Sequence, residues 1–244
     1  MKNQHLPPRQ NASRSLAGLD SLRLRRHCLC RPSNCLGIFF LLLVAVTAAV
    51  AETEVLYPVE EGYVQGGTKA EQVMDGKNRL LVAARYQATK DNTRKIFLLF
   101  KTSSRSDAVN SAKLILTPSK EVARESDAKV PIDLLLLGAP GGDWTGPSLT
   151  WSSAPFHSPD SFSDRDTSGL ELLAQISVDT SGGEKFAPVE FSDPRLTKFL
   201  RKNPGRVTLI VTSGSASKSP GLWFMGTLGT TKPERRPQLV LEMK

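Results

Sequence analysis

The chain has a single histidine after residue 51, His157, in a loop of Pro, Phe and Ser. A serine–histidine catalytic site would use this side chain as its general base, but no G-x-S-x-G nucleophile elbow supplies the serine. A small polysaccharide lyase would instead pair His157 with Tyr63 or Tyr86 as the acid and base of one cleft. We favour a solvated loop histidine and keep the lyase as an alternative.

Two further motifs match catalytic or metal-binding patterns only in part. Ser215 and Lys218 spell S-x-x-K, but they lie among Gly, Ser and Pro between strands instead of opening a helix. Asp160, Asp164 and Asp166 cluster in a polar loop that suits either an oxygen cage for Ca²⁺ or solvation alone. Their spacing lacks the Gly and the terminal Glu of an EF-hand loop, which favours solvation. No P-loop, dinucleotide fingerprint or H-E-x-x-H is present, so we predict no catalytic residues and leave a metal site undecided.

The three tryptophans can bind a sugar, because a flat indole stacks on the apolar face of a sugar ring, or they can fill a core. Trp144 and Trp151 flank a turn, where we favour core filling. Trp223 alternates with Leu222 and Phe224, so its side chain leaves the strand on the opposite face. If Phe224 points inward, Trp223 is available to a ligand.

Basic side chains around one predicted strand suit an anionic ligand. Arg79 and Arg85 project from the same side of that strand, and Lys95 can lie on a neighbouring one. Arginine holds a carboxylate with two parallel hydrogen bonds. We therefore predict a ligand-binding face made of Lys77, Arg79, Arg85, Lys95 and Trp223. The alternative is that these are ordinary solvent-exposed charges.

The elements that would position these residues are short alternating or apolar runs, separated by Gly, Pro, Ser, Asp and Asn. We predict strands at 53–57, 61–66, 79–86, 94–101, 110–117, 130–138, 149–151, 170–178, 185–191, 206–213, 221–226 and 238–243. One segment, 193–200, reads as a helix, because Asp193 can cap it and Pro194 suits its first position. This pattern predicts the all-β class: a single jelly-roll-like β-sandwich with one short surface helix.

The predicted strand 94–101 is apolar on both faces in its middle. Ile96 and Leu98 alternate with Phe97 and Leu99, so neither face is left for solvent there. A half-buried strand would instead alternate between apolar and polar residues. We therefore expect this strand to be covered on both sides over part of its length.

Charge is distributed unevenly along the 244 residues, which have 32 Lys and Arg, 24 Asp and Glu and a formal net charge of +8. Residues 1–51 hold seven of the basic side chains and one acid, so residues 52–244 have 25 basic and 23 acidic side chains, a balance of +2. So small a balance argues against a nucleic-acid binder. All three cysteines precede residue 36, which excludes disulfides, a Cys-ligated metal and a Cys nucleophile from residues 52–244.

The amino-terminal part has the layout of an export signal. A basic stretch precedes the uncharged apolar run 36–50, and Ala49-Val50-Ala51 matches the small-x-small pattern of signal peptidase sites. The run is shorter than the roughly 20 residues of an ordinary membrane-spanning helix. We predict a cleaved signal over 1–51 with a long basic n-region, one module over 52–244, and a secreted, extracellular or cell-envelope location. The alternative is an uncleaved anchor; a start assigned too far upstream would explain the long n-region.

Several stretches, in order along the chain, carry a family resemblance. They are 62–67, 79–82, 94–100, 111–116, 143–155 with its D-W and L-T-W-S-S-A-P, and 237–241. Together they resemble the DNRLRE-type modules of carbohydrate-binding module family 96, over about residues 60 to 243. The segment from Trp144 to Pro155 is the most specific part.

The resemblance implies a secreted β-sandwich that binds polysaccharide, usually attached to lyases or hydrolases of acidic algal-type polymers such as alginate. Two acids of the family pattern differ here: Glu61-Gly62 stands where Asp usually precedes the aromatic–Val pair, and Lys101 stands where Asp usually follows Phe100. A cation or a turn held by those acids would then be missing.

We therefore expect a non-catalytic module that binds an acidic polysaccharide, with polysaccharide-degrading enzymes as its partners. Nucleic acid is not expected as a partner, Ca²⁺ is the one cofactor to test, and the membrane would be reached only through an uncleaved signal. A structural or adhesive envelope protein is the alternative, with the small polysaccharide lyase behind it.

Overall fold

Eleven β-strands and one α-helix lie in the part of the chain that the computed structural model describes, which is residues 52–74, 80–85, 93–119, 131–158, 169–178, 187–214 and 219–244. The strands are β1 (Thr53–Leu56), β2 (Glu60–Gln65), β3 (Leu80–Arg85), β4 (Arg94–Lys101), β5 (Val109–Leu116), β6 (Ile132–Pro140), β7 (Glu171–Val178), β8 (Val189–Ser192), β9 (Arg206–Ser213), β10 (Ser219–Met225) and β11 (Gln238–Met243). The helix α1 spans Pro194–Lys202.

The strands form two antiparallel sheets. The four-stranded sheet has the order β1-β11-β5-β8, and the seven-stranded sheet has the order β10-β3-β4-β9-β6-β7, with β2 also paired to β4. Apolar side chains of both sheets meet in one inner core, which includes Leu114, Phe191 and Leu239 from the first and Ile96, Leu98 and Val211 from the second. Two sheets that bury their facing surfaces against each other make a sandwich. The predicted all-β sandwich with one short helix is confirmed.

The seven-stranded sheet is covered on its outer face as well. There Phe97 and Ile210 pack beneath Trp144, Leu149 and Trp151 of the segment 141–158, in a second apolar cluster. Residues 95–100 of β4 are all buried, so the prediction that this strand is covered on both sides is confirmed. We call the segment 141–158 the cover loop.

The predicted strand at 149–151 is wrong, because this part of the cover loop forms turns. The backbone N–H of Leu149 donates to the carbonyl of Gly146, and that of Ala154 donates to the carbonyl of Thr150. Pro147 lies inside the first of these turns. Local hydrogen bonds thus use the backbone groups that a sheet ladder would need.

The helix α1 forms where the sequence predicts one. The Asp193 side chain accepts a hydrogen bond from the backbone N–H of Arg195 at 2.9 Å, and Pro194 opens the first turn. Leu196 and Phe199 are at most 1% exposed and face the inner core. One apolar stripe and a capped start are what a short surface helix requires.

The described residues all belong to one compact unit, Ala48–Lys244. The predicted signal, 1–51, lies outside the described residues. Within the ranges given above, no helix combines the length and the apolar character needed to cross a membrane.

Candidate functional site

Strand register brings Trp223 together with two polar side chains. Gln65 of β2 lies opposite Arg94 of β4, and Arg94 lies opposite Ala84 of β3. Trp223 of β10 lies opposite Val82, two residues before Ala84. Residues that pair across strands or alternate by two share one face of a sheet. Gln65, Arg94 and Trp223 therefore lie on one face, and we call them the Trp223 cluster.

The guanidinium of Arg94 is the centre of the Trp223 cluster. Its Nε donates a hydrogen bond of 3.1 Å to Oε1 of Gln65, and its Cζ lies 5.6 Å from the centroid of the Trp223 ring. Attraction between a partly buried cation and an indole is worth about 0.5–2 kcal/mol. Within the described residues Gln65 is the one hydrogen-bond partner of this guanidinium. Its two terminal nitrogens can therefore hold a carboxylate in bidentate fashion.

Trp223 points to the face that alternation predicts. Leu222 and Phe224 are 3% and 0% exposed, and Trp223 leaves β10 on the face opposite to theirs, which is the face that it shares with Arg94. The Trp223 ring is partly buried, because it packs at the margin of the inner core. Its contact with a ligand stays a prediction.

The other residues of the predicted ligand face do not all lie where the sequence placed them. Lys77 and Arg79 lie outside the described residues. Arg85 is the last residue of β3, where its backbone pairs with Ser219, and its side chain lies outside the described part as well. Lys95 is 0% exposed, so its expected place on an open ligand face is corrected: the cover loop lies over it.

Lys95 is held by a histidine and a tryptophan of the cover loop. Its Nζ donates a hydrogen bond of 3.1 Å to Nδ1 of His157 and lies 4.5 Å from the centroid of the Trp151 ring. A carbonyl only accepts, so Nε2 of His157 donates to the Trp151 carbonyl at 2.6 Å. His157 is thus the neutral tautomer with its proton on Nε2. We call Lys95, Trp151 and His157 the buried lysine site.

The expectation of a solvated His157 is wrong. This side chain is 8% exposed and packs edge-on against Trp151, with ring centroids 4.9 Å apart. Tyr63 lies opposite Ile96 and packs in the inner core, on the other face of the sheet. The structure therefore does not bring Tyr63 to His157, and Tyr86 lies outside the described residues.

Trp144 and Trp151 fill a core, as predicted, with 8% and 2% of their surfaces exposed. Nε1 of Trp144 donates to Oγ1 of Thr208 at 3.1 Å, which fixes the indole on β9. Gly142 has a φ of 127°, and a Cβ at this position would lie 2.5 Å from Oγ1 of Thr208. A side chain here would therefore strain the backbone and displace the contact that anchors Trp144.

Glu61, one of the two departures from the family pattern, holds a turn. Its carboxylate accepts hydrogen bonds from the backbone N–H and from Oγ1 of Thr227, at 2.5 and 2.9 Å. These bonds tie β2 to the turn that follows β10. The second departure, Lys101, is exposed at the end of β4, opposite Arg206. A turn supported by an acid is therefore present near Tyr63.

Arg94 and Gln65 are the residues that sequence reasoning missed. The signal for Arg94 was its position beside Lys95, because two consecutive residues of a strand cannot share one face. Gln65 gave no such signal, because its pairing with Arg94 depends on the register between β2 and β4. The side chains 29 residues apart meet only in the folded sheet.

Within the described residues, no group of three or more His, Cys, Asp or Glu could hold a metal ion. The predicted oxygen cage lies outside those residues, as does the S-x-x-K match; the positions are Asp160, Asp164, Asp166, Ser215 and Lys218. The Ca²⁺ hypothesis therefore stays a prediction.

Residues 52–167 match the family model of carbohydrate-binding module family 96. The matched stretch holds β1 to β6 and the cover loop, and it ends before β7, so Trp223 lies beyond it. None of the curated proteins matches the chain.

Proposed function

Because residues 52–167 match the family model of carbohydrate-binding module family 96, we propose that this chain is a secreted, non-catalytic carbohydrate-binding module for an acidic polysaccharide. The family match is the observation that carries the proposal. The acidic character of the ligand, the absence of catalysis and the secretion rest on the residues discussed next.

The Trp223 cluster supports an acidic ligand. An acidic polysaccharide carries a carboxylate or a sulfate on its sugar units, and each unit also has an apolar ring face. Arg94 offers its terminal guanidinium nitrogens to the anion, while Gln65 holds Nε and fixes the plane of the fork. This guanidinium lies over the Trp223 ring, and the part of the indole that stays exposed is offered to the sugar ring. The cluster thus combines both contacts that one uronate unit needs.

Further basic residues lie close to the cluster in the chain. Arg85 ends β3, the strand between β4 and β10, and Lys77 and Arg79 precede that strand in sequence. Several cations along one polymer raise its affinity through charges that salt screens over about 8–10 Å. Binding of an anionic polymer should therefore weaken as the ionic strength rises.

The surroundings of His157 support a non-catalytic role. Lys95 donates to one ring nitrogen and the other donates to the Trp151 carbonyl, so proton transfer by His157 would first require the cover loop to open. General acid–base catalysis needs a group within hydrogen-bond reach of the substrate. Burial beneath the cover loop keeps His157 out of that reach.

Secretion is supported by the basic, apolar and small-x-small order of residues 1–51. A secreted module that binds polysaccharide would act together with polysaccharide-degrading enzymes and keep them near the polymer. We include such enzymes in the proposal as its partners.

The proposal is tested by calorimetric titration of the protein from residue 52 onward with an alginate hexasaccharide, at about 0.05 M and about 0.5 M NaCl. We expect saturable binding that weakens at the higher salt, with no unsaturated or reducing ends formed. Arg94→Ala and Trp223→Ala should each weaken binding about tenfold, which is about 1.4 kcal/mol. The matched controls are the exposed residues Arg105→Ala and Tyr57→Ala. Equal losses in the controls, or product formation, would overturn the proposal.

A further inference from the structure

A pocket of about 500 Å³ opens on the outer surface of the cover loop. Its floor is apolar and mostly buried, and its exposed rim is polar. The floor is made of Trp144, Leu149 and Pro155, and the rim of Asp143, Ser148 and Ser153. The volume lies within the range of about 300–1,000 Å³ that small-molecule sites occupy. We call it the cover-loop pocket.

The rim hydroxyls are held in place by their neighbours. Oγ of Ser148 lies 2.8 Å from Oγ1 of Thr145. Oγ of Ser153 lies 2.8 Å from Oγ1 of Thr150 and accepts a hydrogen bond from the Thr150 backbone N–H at 3.1 Å. Oγ of Ser148 also donates to the Thr145 carbonyl at 3.1 Å, and Oγ of Ser153 to the Ser148 carbonyl at 3.5 Å. A hydroxyl has one proton and two lone pairs, so what each serine offers a ligand hydroxyl is at most one lone pair.

The cover loop itself is fastened to the rest of the sandwich. The backbone N–H of Gly146 donates to Oε2 of Glu60 at 2.9 Å, and that of Ser152 donates to the carbonyl of Ala70 at 3.1 Å. The buried lysine site fixes the end of the loop at His157. A site that is already ordered loses little conformational freedom when a ligand binds.

The charge of the pocket differs from that of the Trp223 cluster. The Asp143 side chain is 96% exposed, and its Oδ1 accepts a hydrogen bond of 2.9 Å from Nη1 of Arg206. Its other oxygen is directed to no described residue, so it can accept a hydrogen bond from a sugar hydroxyl. Since Arg206 already pairs with this carboxylate, the rim offers an acceptor for hydroxyl groups and no unpaired cation for a uronate, which favours an uncharged sugar.

We propose that the cover-loop pocket is a second saccharide site, for an uncharged pyranose unit with neighbouring hydroxyl groups. The C–H face of the ring lies on Leu149 and Trp144, and its hydroxyls bond to Asp143, Ser148 and Ser153. The site rests on the proposed carbohydrate-binding function, but it is separate from the Trp223 cluster. The two lie on opposite faces of the sheet, because Arg94 and Lys95 leave β4 in opposite directions.

The test is an amide-resolved NMR titration of the protein from residue 52 onward with mannohexaose, cellohexaose, xylohexaose and an alginate hexasaccharide. At least one neutral hexasaccharide should shift the amides of residues 143–153 in a saturable way, and Trp223→Ala should leave those shifts unchanged. Ser148→Trp places a large side chain across the pocket and should weaken the binding at least tenfold. Thr231→Trp, at an exposed position before β11, is the matched control.

The test also needs a variant that leaves the cover loop folded, and Asp143→Ala serves this purpose. Asp143 is almost fully exposed, so Asp143→Ala should keep the spectrum of the wild type and weaken the neutral ligand about threefold or more. The proposed second site is overturned when no neutral hexasaccharide shifts these amides, or when Ser148→Trp and Asp143→Ala leave the binding intact.

The two proposals fail in different ways. Binding of the alginate hexasaccharide alone, with shifts around Trp223, leaves the acidic-polysaccharide proposal standing and removes the cover-loop pocket. Binding of a neutral hexasaccharide alone removes the acidic-polysaccharide proposal and keeps the pocket. Binding of none of the four overturns both.

Discussion

Two consecutive cations of β4 each lie against an indole ring, yet they occupy opposite environments. Arg94 lies partly exposed beside Trp223, with Gln65 as its hydrogen-bond partner. Lys95 is fully buried against Trp151, with His157 as its partner. The pairing of a cation with an indole is therefore not by itself a mark of a ligand site. What decides is whether the cation itself is enclosed, as Lys95 is beneath the cover loop, or stays partly exposed, as Arg94 does.

The buried pair, Lys95 with Trp151, has a structural role. The partly exposed pair, Arg94 with Trp223, keeps hydrogen-bond donors available for a ligand. A buried ammonium is costly unless hydrogen bonds and favourable electrostatics replace its water, and His157 and Trp151 supply them. The attraction therefore holds the cover loop on the sheet. Arg94 satisfies only its Nε within the described residues, so the rest of its guanidinium can meet a ligand.

Lys95→Ala should show the largest effect. It leaves a cavity in the second apolar cluster and removes the donor to Nδ1 of His157, so the free energy of unfolding should fall by roughly 2–4 kcal/mol. Urea unfolding followed by tryptophan fluorescence measures the change. Lys101→Ala, at the exposed end of the same strand, should change stability by at most about 0.5 kcal/mol. Similar small changes in both variants would contradict a structural role for Lys95.

Gly142→Ala tests whether the cover loop needs its close contact with β9. The substitution puts a Cβ 2.5 Å from Oγ1 of Thr208 at a φ of 127°, so we expect a loss of roughly 1–3 kcal/mol and an altered near-UV dichroism from Trp144. Gly141 also has a positive φ but meets no atom within 4 Å of a built Cβ. Gly141→Ala should therefore cost less, and an equal cost would show that the contact with Thr208 is unimportant.

Arg94→Lys tests the role of the partly exposed cation. The charge stays, but the planar fork that reaches Gln65 and a carboxylate together is lost. We expect binding of an alginate hexasaccharide to weaken about fivefold, or about 1 kcal/mol, with stability unchanged within about 0.5 kcal/mol. Titration calorimetry and urea unfolding give the two values, with Arg105→Lys as the control. A loss of stability without a loss of binding would make Arg94 a structural residue like Lys95.

Substitution of Asp193 should have the smallest effect of the four substitutions. Its partner is the exposed cation Arg195, so this pair shows what a cation and a carboxylate contribute when no indole is involved. The hydrogen bond from the Arg195 side chain, helped by that from its backbone N–H, lowers the pKa of Asp193 below its ordinary value. A carboxyl with a lowered pKa in the folded protein stabilises it above the ordinary aspartate pKa, and this contribution is lost as the pH falls through the lower, folded value. Asp193→Ala should thus cost about 1 kcal/mol at neutral pH.

Measuring that difference across pH checks the sign. The gap in unfolding free energy between the wild type and Asp193→Ala should shrink as the pH falls from about 5 to about 2. A gap that stays constant or grows toward low pH would show that the ionised carboxylate does not cap α1. Asp143→Ala, at an exposed ion pair outside any helix, is the control and should change stability by less than about 0.5 kcal/mol.

Local pattern predicted those parts of the fold that depend on neighbours in sequence. The strand at 206–213 and the inward face of β10 follow from alternation, and the start of α1 follows from Asp193 and Pro194. The burial of Lys95 depends on His157, 62 residues away. It also depends on the turns of the cover loop, whose sequence resembles that of a short strand at 149–151. Periodicity carries no information about such a cover, which is why Lys95 was assigned to an open face.

For the candidate site, too, the sequence predicted only what depends on neighbouring residues. Alternation placed Trp223 on the face away from Phe224, but the partner of its ring depends on how β10, β3 and β4 align. Of the two cations of β4 the sequence favoured Lys95, because local pattern shows neither the register between β3 and β4 nor the cover loop. The rim of the cover-loop pocket was hidden for a similar reason, since turn serines have no sequence signal of their own.

The pairing of β9 has a consequence for anyone who wishes to use this module as a fusion partner. β9 lies between β4 and β6, and β11 lies between β1 and β5, so both late strands sit inside sheets that the earlier strands begin. A fragment cut at the end of the family match would expose seven strand edges at once, one each on β1, β3 and β4 and two each on β5 and β6, the kind of surface that aggregates. Useful boundaries for such a fusion therefore lie before β1 and after β11, with the later strands as indispensable as the matched ones.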